Sequence, residues 1–412
     1  MPPAGRTPSV RVLDVLLGGR EVGTLTHLPG ESTLFSFRDD YVEDPQRPTL
    51  SLSFKTADGS VASRARPTHL KVPPFFSNLL PEGHLRDYLA DRGGVNPQRE
   101  FFLLWLLGQD LPGAVVVRPA EGEALPPEAV GDVDLEADRG EVLRFSLAGL
   151  QLKFSALMES DGGLTIPASG VGGSWIVKLP SARHVSVPEN EYVMMELARE
   201  VGIRVPDTKL IPMADVAGLP SDTALSGLAL AMRRFDRDGK GGRIHMEDFA
   251  QVFDVFPADK YETASYENLA GVLWAEAAQS DVAELARRLA FSVLIGNGDM
   301  HLKNWSLIYR DGRTAELAPA YDFVATVPYI PNDRMALSLG GTKDWADVSI
   351  DLFRRFAARA GLPESLVVEA ARETASRFMV AWEHHEVVGR LPDAVRSRLA
   401  EHMKTVPLSR GG

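Results

Sequence analysis

The sequence predicts an α+β protein in which an N-terminal α/β module precedes a strand-rich lobe and then a helical lobe. Short alternating apolar runs dominate residues 142–240, whereas patterns with helical spacing dominate residues 241–412. A segment rich in Pro, Glu, Asp and Gly, residues 119–141, separates both from residues 1–118 and has the composition of an exposed connector. We therefore expect one accessory module, a connector and two lobes.

Composition excludes several classes of chemistry. The 412 residues include no cysteine, which rules out disulfides, thiolate zinc sites, iron–sulfur clusters and cysteine nucleophiles. The net charge of −12 disfavours direct binding to nucleic acid, so a role at DNA would need a basic partner. Neither a signal-peptide pattern nor an apolar run long enough to span a bilayer is present, and we expect a cytoplasmic protein without membrane contact.

The N-terminal module contains no pattern typical of catalysis. Residues 11–17 (RVLDVLL) and 49–54 (TLSLSF) are predicted strands, and residues 82–93 (EGHLRDYLADRG) form a predicted helix. This combination indicates an accessory or docking domain.

In the strand-rich lobe, residues 141–147 and 150–158 are predicted strands on either side of a short turn. Residues 175–180 (WIVKLP) form a further strand that carries a single lysine, Lys178. A helix is predicted from about Ser186 to Val201, because Pro188 and two acids suit its first turn and a glycine follows its end.

The helical lobe contains a polar stretch, IGNGDMHLKNWSLIY (295–309), between apolar runs. Asp299 follows the Gly-Asn-Gly end of a predicted helix, and an Asp-Gly pair at 311–312 predicts a two-residue hairpin turn. Asp322 comes directly after that hairpin. The loop before the first strand and the residue after the second then meet, which would bring Asp299, Asn304 and Asp322 together.

Such a set suits phosphoryl transfer, in which one carboxylate accepts a hydroxyl proton while a carboxylate and an amide oxygen hold magnesium. The Asp299–Asn304 spacing and the later YDF match the order of a protein kinase, although Val324 replaces the glycine of DFG and no arginine precedes Asp299. The D-x-H-x-x-N pattern also resembles small-molecule and lipid kinases. A helix cap and turn without chemistry is the remaining alternative.

Lys178 occupies the position of a nucleotide-binding lysine, on a strand ahead of a helix. Its expected glutamate partner is Glu191 rather than Glu196, because Glu191 shares a helix face with Met194 and Ala198. Glu191 could instead only complement the helix dipole. His301 has two open roles: it could contact phosphate or metal, or it could brace the loop through hydrogen bonds.

The complete motif set resembles the HipA family of bacterial toxin-type serine/threonine kinases. Its motifs are SLAGLQLK, the IVKLP strand, NEY, RRFDR, RIHMEDFAQ, GDMHLKN and LAPAYDF, with SNLLPEGHLRD and GQDLPGAVVV in the N-terminal module. The resemblance covers almost the whole chain and implies a protein-kinase-like bilobal fold that binds ATP and Mg²⁺.

The resemblance also implies residue roles. Asp299 would be the catalytic base, and Asn304 and Asp322 would be metal ligands. The expected nucleotide-binding residues are Ala148, Gly149, Leu150, Gln151, Leu152, Lys153, Lys178, Glu191, Arg233, Arg234, Phe235, His301, Leu302, Lys303, Asn304, Tyr321 and Asp322. Two positions depart from relatives: Arg233 stands where some carry a hinge glutamate, and Leu152 replaces a polar loop residue.

Regulation and partners follow from the same resemblance. Ser146 matches a serine whose autophosphorylation silences family members. The implied partner is an HipB-like helix-turn-helix antitoxin that carries the DNA contact, and the implied target is an aminoacyl-tRNA synthetase, whose phosphorylation causes growth arrest or persistence. A small-molecule or lipid kinase, or a kinase-fold corepressor that acts with the antitoxin, are the alternative functions.

Overall fold

The computed structural model describes residues 11–62, 66–120, 126, 129, 153–158, 163–166, 172–181, 183–219 and 226–410. The expected strand at 141–147, Ser146, most of the connector and the loop residues Ala148, Gly149, Leu150, Gln151 and Leu152 lie outside this set. Among the helices described, none is both long and apolar enough to cross a membrane.

The N-terminal domain is built on a five-stranded antiparallel sheet of order β4-β3-β2-β1-β5. Its strands are β1 (Arg11–Leu17), β2 (Arg20–Leu28), β3 (Ser32–Phe37), β4 (Thr68–His69) and β5 (Val115–Pro119), and its helices are α1 (Asp39–Val42), α2 (Pro74–Ser77), α3 (Gly83–Gly93) and α4 (Glu100–Leu107). Phenylalanines of α2 and α4 are fully or almost fully buried and belong to one apolar cluster with the sheet.

The predicted strand at residues 49–54 is wrong. Only a single 3₁₀ turn forms there, at Leu52–Phe54. The buried carboxylate of Glu247 accepts hydrogen bonds from the Ser51 hydroxyl at 2.5 Å and the Leu52 amide at 3.0 Å. These backbone and side-chain donors are therefore satisfied by a carboxylate from the helical lobe rather than by a neighbouring strand.

The strand-rich lobe contains a six-stranded sheet of order β10-β7-β6-β8-β11-β9. Its elements are β6 (Lys153–Met158), β7 (Leu164–Thr165), β8 (Trp175–Lys178), β9 (Thr208–Pro212), β10 (Val216–Ala217), β11 (Leu228–Arg233) and the helix α5 (Val187–Glu200). The expected strand at 150–158 is confirmed over its described residues, Lys153–Met158. The expected strand at 175–180 and the expected helix are confirmed with boundaries within two residues. The helical segment ends at Gly202, whose φ of 89° lies in the left-handed region. Glycine suits this position because a side chain would strain the backbone there.

The helical lobe surrounds a central helix. Its elements are β12 (His245–Asp248), α6 (Phe249–Val252), α7 (Tyr266–Glu276), α8 (Gln279–Leu294), β13 (Ser306–Tyr309), β14 (Glu316–Leu317), α9 (Ile350–Ala360), α10 (Glu364–His384) and α11 (Asp393–Thr405). Helix α8 is buried on nearly all faces and packs against α10. Its Phe291 contacts Phe378 of α10 and also Phe323, which follows β14. Helix α8 ends shortly before the loop that carries Asp299.

Strands β13 and β14 pair as predicted, but the predicted two-residue turn between them is wrong. Six residues, 310–315, connect the strands. The Asp311 carboxylate accepts hydrogen bonds from the amides of Arg313 at 2.8 Å and Thr314 at 2.7 Å, which stabilises a wider turn than Asp-Gly alone would form.

The N-terminal domain is joined to the connection between the lobes by a buried ion network. Asp236 accepts hydrogen bonds from Arg234 and Arg237 and from the backbone amide of Gly113, all within 3.0 Å. Asp110 accepts a further hydrogen bond from Arg237 at 2.8 Å. Although burial would by itself raise the pKa of Asp236, the two arginines lower it, so the carboxylate stays charged.

We expect Asp236→Asn to destabilise the protein by about 3 kcal/mol, because it leaves two arginines short of their counter-charge in a buried network. Thermal unfolding of the intact chain, followed by calorimetry, would measure this as a melting point lowered by several degrees. Asp215→Asn, at an exposed position, is the control and should change stability by less than about 0.5 kcal/mol. Equal melting points for the two variants would contradict the assigned role of the network.

Candidate functional site

The side-chain ammonium of Lys178 lies between two carboxylates from distant parts of the chain. Its Nζ is 2.5 Å from Glu191 Oε1 and also forms an ion pair with Asp322 Oδ1. Lys178 comes from β8, Glu191 from α5, and Asp322 from the segment after β14. The expected Lys178–Glu191 pair is therefore present, whereas Glu196 points elsewhere and binds Arg199 and Thr208.

The two carboxylates respond differently to the same lysine. Burial raises the pKa of Glu191 to about 7, against the attraction of Lys178. Burial would also raise the pKa of Asp322, but Lys178 and Lys153 together lower it to about 2. Asp322 is therefore the acid of this pair that stays charged at neutral pH.

The backbone at Asp322 is itself unusual. Its φ of 56° lies in the left-handed region, which costs a non-glycine residue of the order of 1 kcal/mol. Asn190, the residue before Glu191, donates to the Ala325 carbonyl at 2.9 Å and accepts from the Ala325 amide at 3.1 Å. This two-way clamp fixes helix α5 to the segment three residues beyond Asp322.

A second amide, Asn297, connects the Asp299 loop to Asp322. Its side chain accepts a hydrogen bond from the Asp299 amide and donates one to the Asp322 carbonyl, both at 3.1 Å. The flanking glycines explain the Gly-Asn-Gly sequence: Gly296 has φ 61°, and a Cβ on Gly298 would lie 2.4 Å from the Asp333 carboxylate. Asp299 and Asp322 are thus brought together as the hairpin predicted.

Asp299 keeps 53 % of its side-chain surface exposed. Its Oδ1 accepts a hydrogen bond from the Tyr261 hydroxyl at 2.6 Å. Desolvation by the surrounding protein raises the pKa of Asp299 above its ordinary value. The hydrogen bond from Tyr261 lowers this pKa, and the negative charge of Asp322 raises it further. A carboxylate that is accessible, oriented by one hydrogen bond and shifted toward neutral pH is suited to accept a proton.

Asn304 and His301 complete the loop. The Asn304 side-chain nitrogen donates to the Asp299 carbonyl at 2.7 Å, so the amide oxygen is the atom left for a metal ion. The His301 ring packs edge-on against Tyr261, with Nε2 4.0 Å from Asp299 Oδ1. Burial and the nearby Lys260 lower the pKa of His301 to about 4, and its Nδ1 makes no hydrogen bond to any described residue.

The remaining expected nucleotide residues divide into two groups. Near the site, Lys153 lies opposite Lys178 in the β6–β8 register, and the rings of Phe235 and Tyr321 are 5.8 Å apart. The residues of the second group have other contacts. The Leu302 side chain is fully buried in the core, and the Lys303 ammonium donates to the Asn78 carbonyl of the N-terminal domain.

The hinge arginines also have other partners. Arg233 is exposed and pairs with Asp207 at 3.5 Å. The Arg234 guanidinium binds Asp236 and Ser155, and its backbone amide donates to the Ser174 carbonyl at 2.8 Å. That amide is therefore not free to contact an adenine ring.

Three site residues were not predicted from the sequence: Asn190, Asn297 and Tyr261. Asn190 and Asn297 are buried amides, and each donates a hydrogen bond to a backbone carbonyl far away along the chain. The position of Asn297 between two glycines was the available signal, since a polar residue in such a tight turn needs hydrogen-bond partners. Tyr261 lies in an irregular segment and has no sequence signal.

The donor set suits a magnesium ion. Asp322, Asp299 and Asn304 offer oxygen atoms, which Mg²⁺ prefers. The buried Oε2 of Glu191 makes no hydrogen bond among the described residues. Within the part of the chain that is described, no three His, Asp or Glu side chains cluster as a metal site, here or elsewhere, so an ion at this site would also need the Asn304 amide oxygen.

Comparisons with known proteins agree with this architecture. The HipA N-terminal domain family matches residues 13–118, and the HipA-like C-terminal domain family matches residues 145–382. Two Sinorhizobium fredii proteins named as kinases are similar: Y4dM is 53% identical over 98% of this chain and 99% of its own length, and Y4mE is 33% identical over 87% and 88%.

A more distant relative and a similar solved structure both come from Shewanella oneidensis. The serine/threonine-protein kinase toxin HipA of Shewanella oneidensis is 25% identical over 98% of this chain and 96% of its own length. A Shewanella oneidensis structure of HipA with HipB and operator DNA has a TM-score of 0.71 at 21% sequence identity and covers 97% of this chain and 96% of that one. Together with the two domain matches, these similarities show that the chain belongs to the HipA family and has its α+β, kinase-like fold.

Proposed function

We propose that this protein is an ATP- and magnesium-dependent serine/threonine protein kinase of the toxin type. The observation that supports this most strongly is the contact of Lys178 with both Glu191 and Asp322. In protein kinases, a strand lysine pairs with a helix glutamate next to the metal-binding aspartate. A purely structural ion pair would not require Asn304 and an accessible Asp299 beside it.

Each side chain has a role in this proposal. Asp299 accepts the proton of the acceptor hydroxyl. The Tyr261 hydroxyl, which donates to Asp299 Oδ1, orients the carboxylate. Lys178 orients the nucleotide phosphates, while Asp322 and the Asn304 oxygen hold Mg²⁺. The ion would supply positive charge against the phosphates as negative charge develops on them. Phe235 and Tyr321 would border the base of the nucleotide.

The acceptor and the partners are inferred from the family. The relative from Shewanella is named a serine/threonine-protein kinase toxin, and the structural neighbour is a complex with HipB and operator DNA. We infer an HipB-like antitoxin for this chain, which would carry the DNA contact because the chain itself has a net charge of −12. An aminoacyl-tRNA synthetase is the proposed target, with growth arrest or persistence as the outcome.

Asp299→Asn should lower the rate of γ-phosphate transfer by about 100-fold or more, because it removes the general base. ATP binding should remain. The measurement is incorporation of labelled phosphate into protein, and Asp215→Asn serves as the exposed control. Phosphate incorporation by the Asp299 variant at the wild-type rate would contradict the mechanism, and label only in soluble or lipid products would contradict a protein acceptor.

Ser146 should become phosphorylated when the wild-type protein is incubated with Mg-ATP, and it should stay unmodified in Asp299→Asn. Phosphopeptide mapping by mass spectrometry tests this. Ser146→Ala should lose the self-label at that position yet keep transfer to another protein. Self-phosphorylation confined to other residues would exclude the proposed regulation at Ser146.

A further inference from the structure

The N-terminal domain contacts the catalytic loop directly through one carboxylate, Glu82. Its Oε2 is 2.9 Å from the Lys260 ammonium and its Oε1 is 3.2 Å from the Lys303 ammonium. A single acid from the accessory domain thus bridges two lysines of the helical lobe.

Both lysines belong to segments that build the site. Lys303 lies between Asp299 and Asn304 in the loop itself. Lys260 immediately precedes Tyr261, whose hydroxyl hydrogen-bonds to Asp299. The Leu302 amide donates to the Lys260 carbonyl at 3.3 Å, so the two segments are also joined to each other. Glu82 therefore contacts the loop and the residue next to Tyr261, which orients Asp299.

Asn78 strengthens the same contact. Its backbone carbonyl and its side-chain oxygen accept hydrogen bonds from Lys303 at 2.8 and 3.1 Å. Its side-chain nitrogen donates to the Val255 carbonyl at 2.7 Å, which orients the amide. Only 14% of the Lys303 side chain is exposed, and a cation in such surroundings depends on its hydrogen-bond partners.

The ionisation of Glu82 fits this role. Partial burial would raise the pKa of Glu82, but the charges of Lys303 and Lys260 lower it. The carboxylate is thus charged at neutral pH and can bind both ammonium groups. Asp248, 3.5 Å from Lys303, adds a further negative charge on the side of the helical lobe.

We propose that Glu82, supported by Asn78, is a positioning residue of the transfer site, and that the N-terminal domain is required for full activity because it fixes the Asp299 loop. This inference rests on the proposed kinase function. Displacement of a catalytic group by about 1 Å can cost roughly 100-fold in rate, so a loop held at both Lys260 and Lys303 is sensitive to the loss of their shared acid.

Glu82→Gln tests the inference against a matched control, Glu31→Gln. Glu31 belongs to the same domain, has the same 35% side-chain exposure and pairs with Arg99 within that domain. We expect Glu82→Gln to lower the self-phosphorylation rate at saturating Mg-ATP by about 10-fold, with half-saturation by ATP changed less than about 3-fold. Glu31→Gln should match the wild type in both.

Hydrogen exchange supplies a readout that does not depend on activity. Amides of residues 296–305 should exchange faster in Glu82→Gln than in Glu31→Gln, because the loop has lost one attachment. Adding Glu82→Gln to Lys303→Met should lower the rate by much less than the product of the two single effects, since both remove the same contact.

The outcomes separate the two hypotheses. Equal transfer rates and equal exchange in Glu82→Gln and Glu31→Gln would overturn the positioning role and leave the kinase proposal standing. Absence of Asp299-dependent transfer in the wild type would instead contradict the proposed function. In that case, exchange alone would decide whether Glu82 orders the loop.

Discussion

The ammonium of Lys178, buried between the carboxylates of Glu191 and Asp322, is the interaction on which the rest of the site depends. It joins a strand, a helix and a loop that come from both lobes. Removal of one member of a buried ion pair typically costs about 3–5 kcal/mol, because the other charge is left without a partner. The same contact therefore helps to hold the two lobes together and to balance the charge of the site.

The Asp299 loop is held from two directions. Asn297 ties it to Asp322, and Glu82 ties it to the N-terminal domain through Lys303. A further network around Asp236 attaches the same domain to the connection between the lobes. The N-terminal domain thus contacts both the Asp299 loop and the segment between the lobes, which is why we propose that it is needed for full activity.

Sequence patterns predicted the parts of this arrangement that follow from local periodicity. Helical spacing selected Glu191, and strand pairing brought Asp322 to the Asp299 loop. The contacts of Asn190, Asn297 and Glu82 could not be predicted, because each joins residues far apart in sequence and depends on backbone geometry rather than on a repeat. The predicted strand at residues 49–54 failed for the same reason, because its Leu52 amide donates to the distant Glu247. The β13–β14 turn failed for a local reason, because Asp311 accepts hydrogen bonds from amides two and three residues later.

Calorimetric titration of ATP into wild type and Asp322→Asn, with and without Mg²⁺, tests whether Asp322 holds the metal ion. We expect Mg²⁺ to tighten ATP binding to the wild type by about 10-fold or more. This gain should disappear in Asp322→Asn, whose amide oxygen can still accept a hydrogen bond from Lys178, and persist in Asp344→Asn, an exposed control. A Mg²⁺ effect of equal size in wild type and Asp322→Asn would show that Asp322 does not hold the ion.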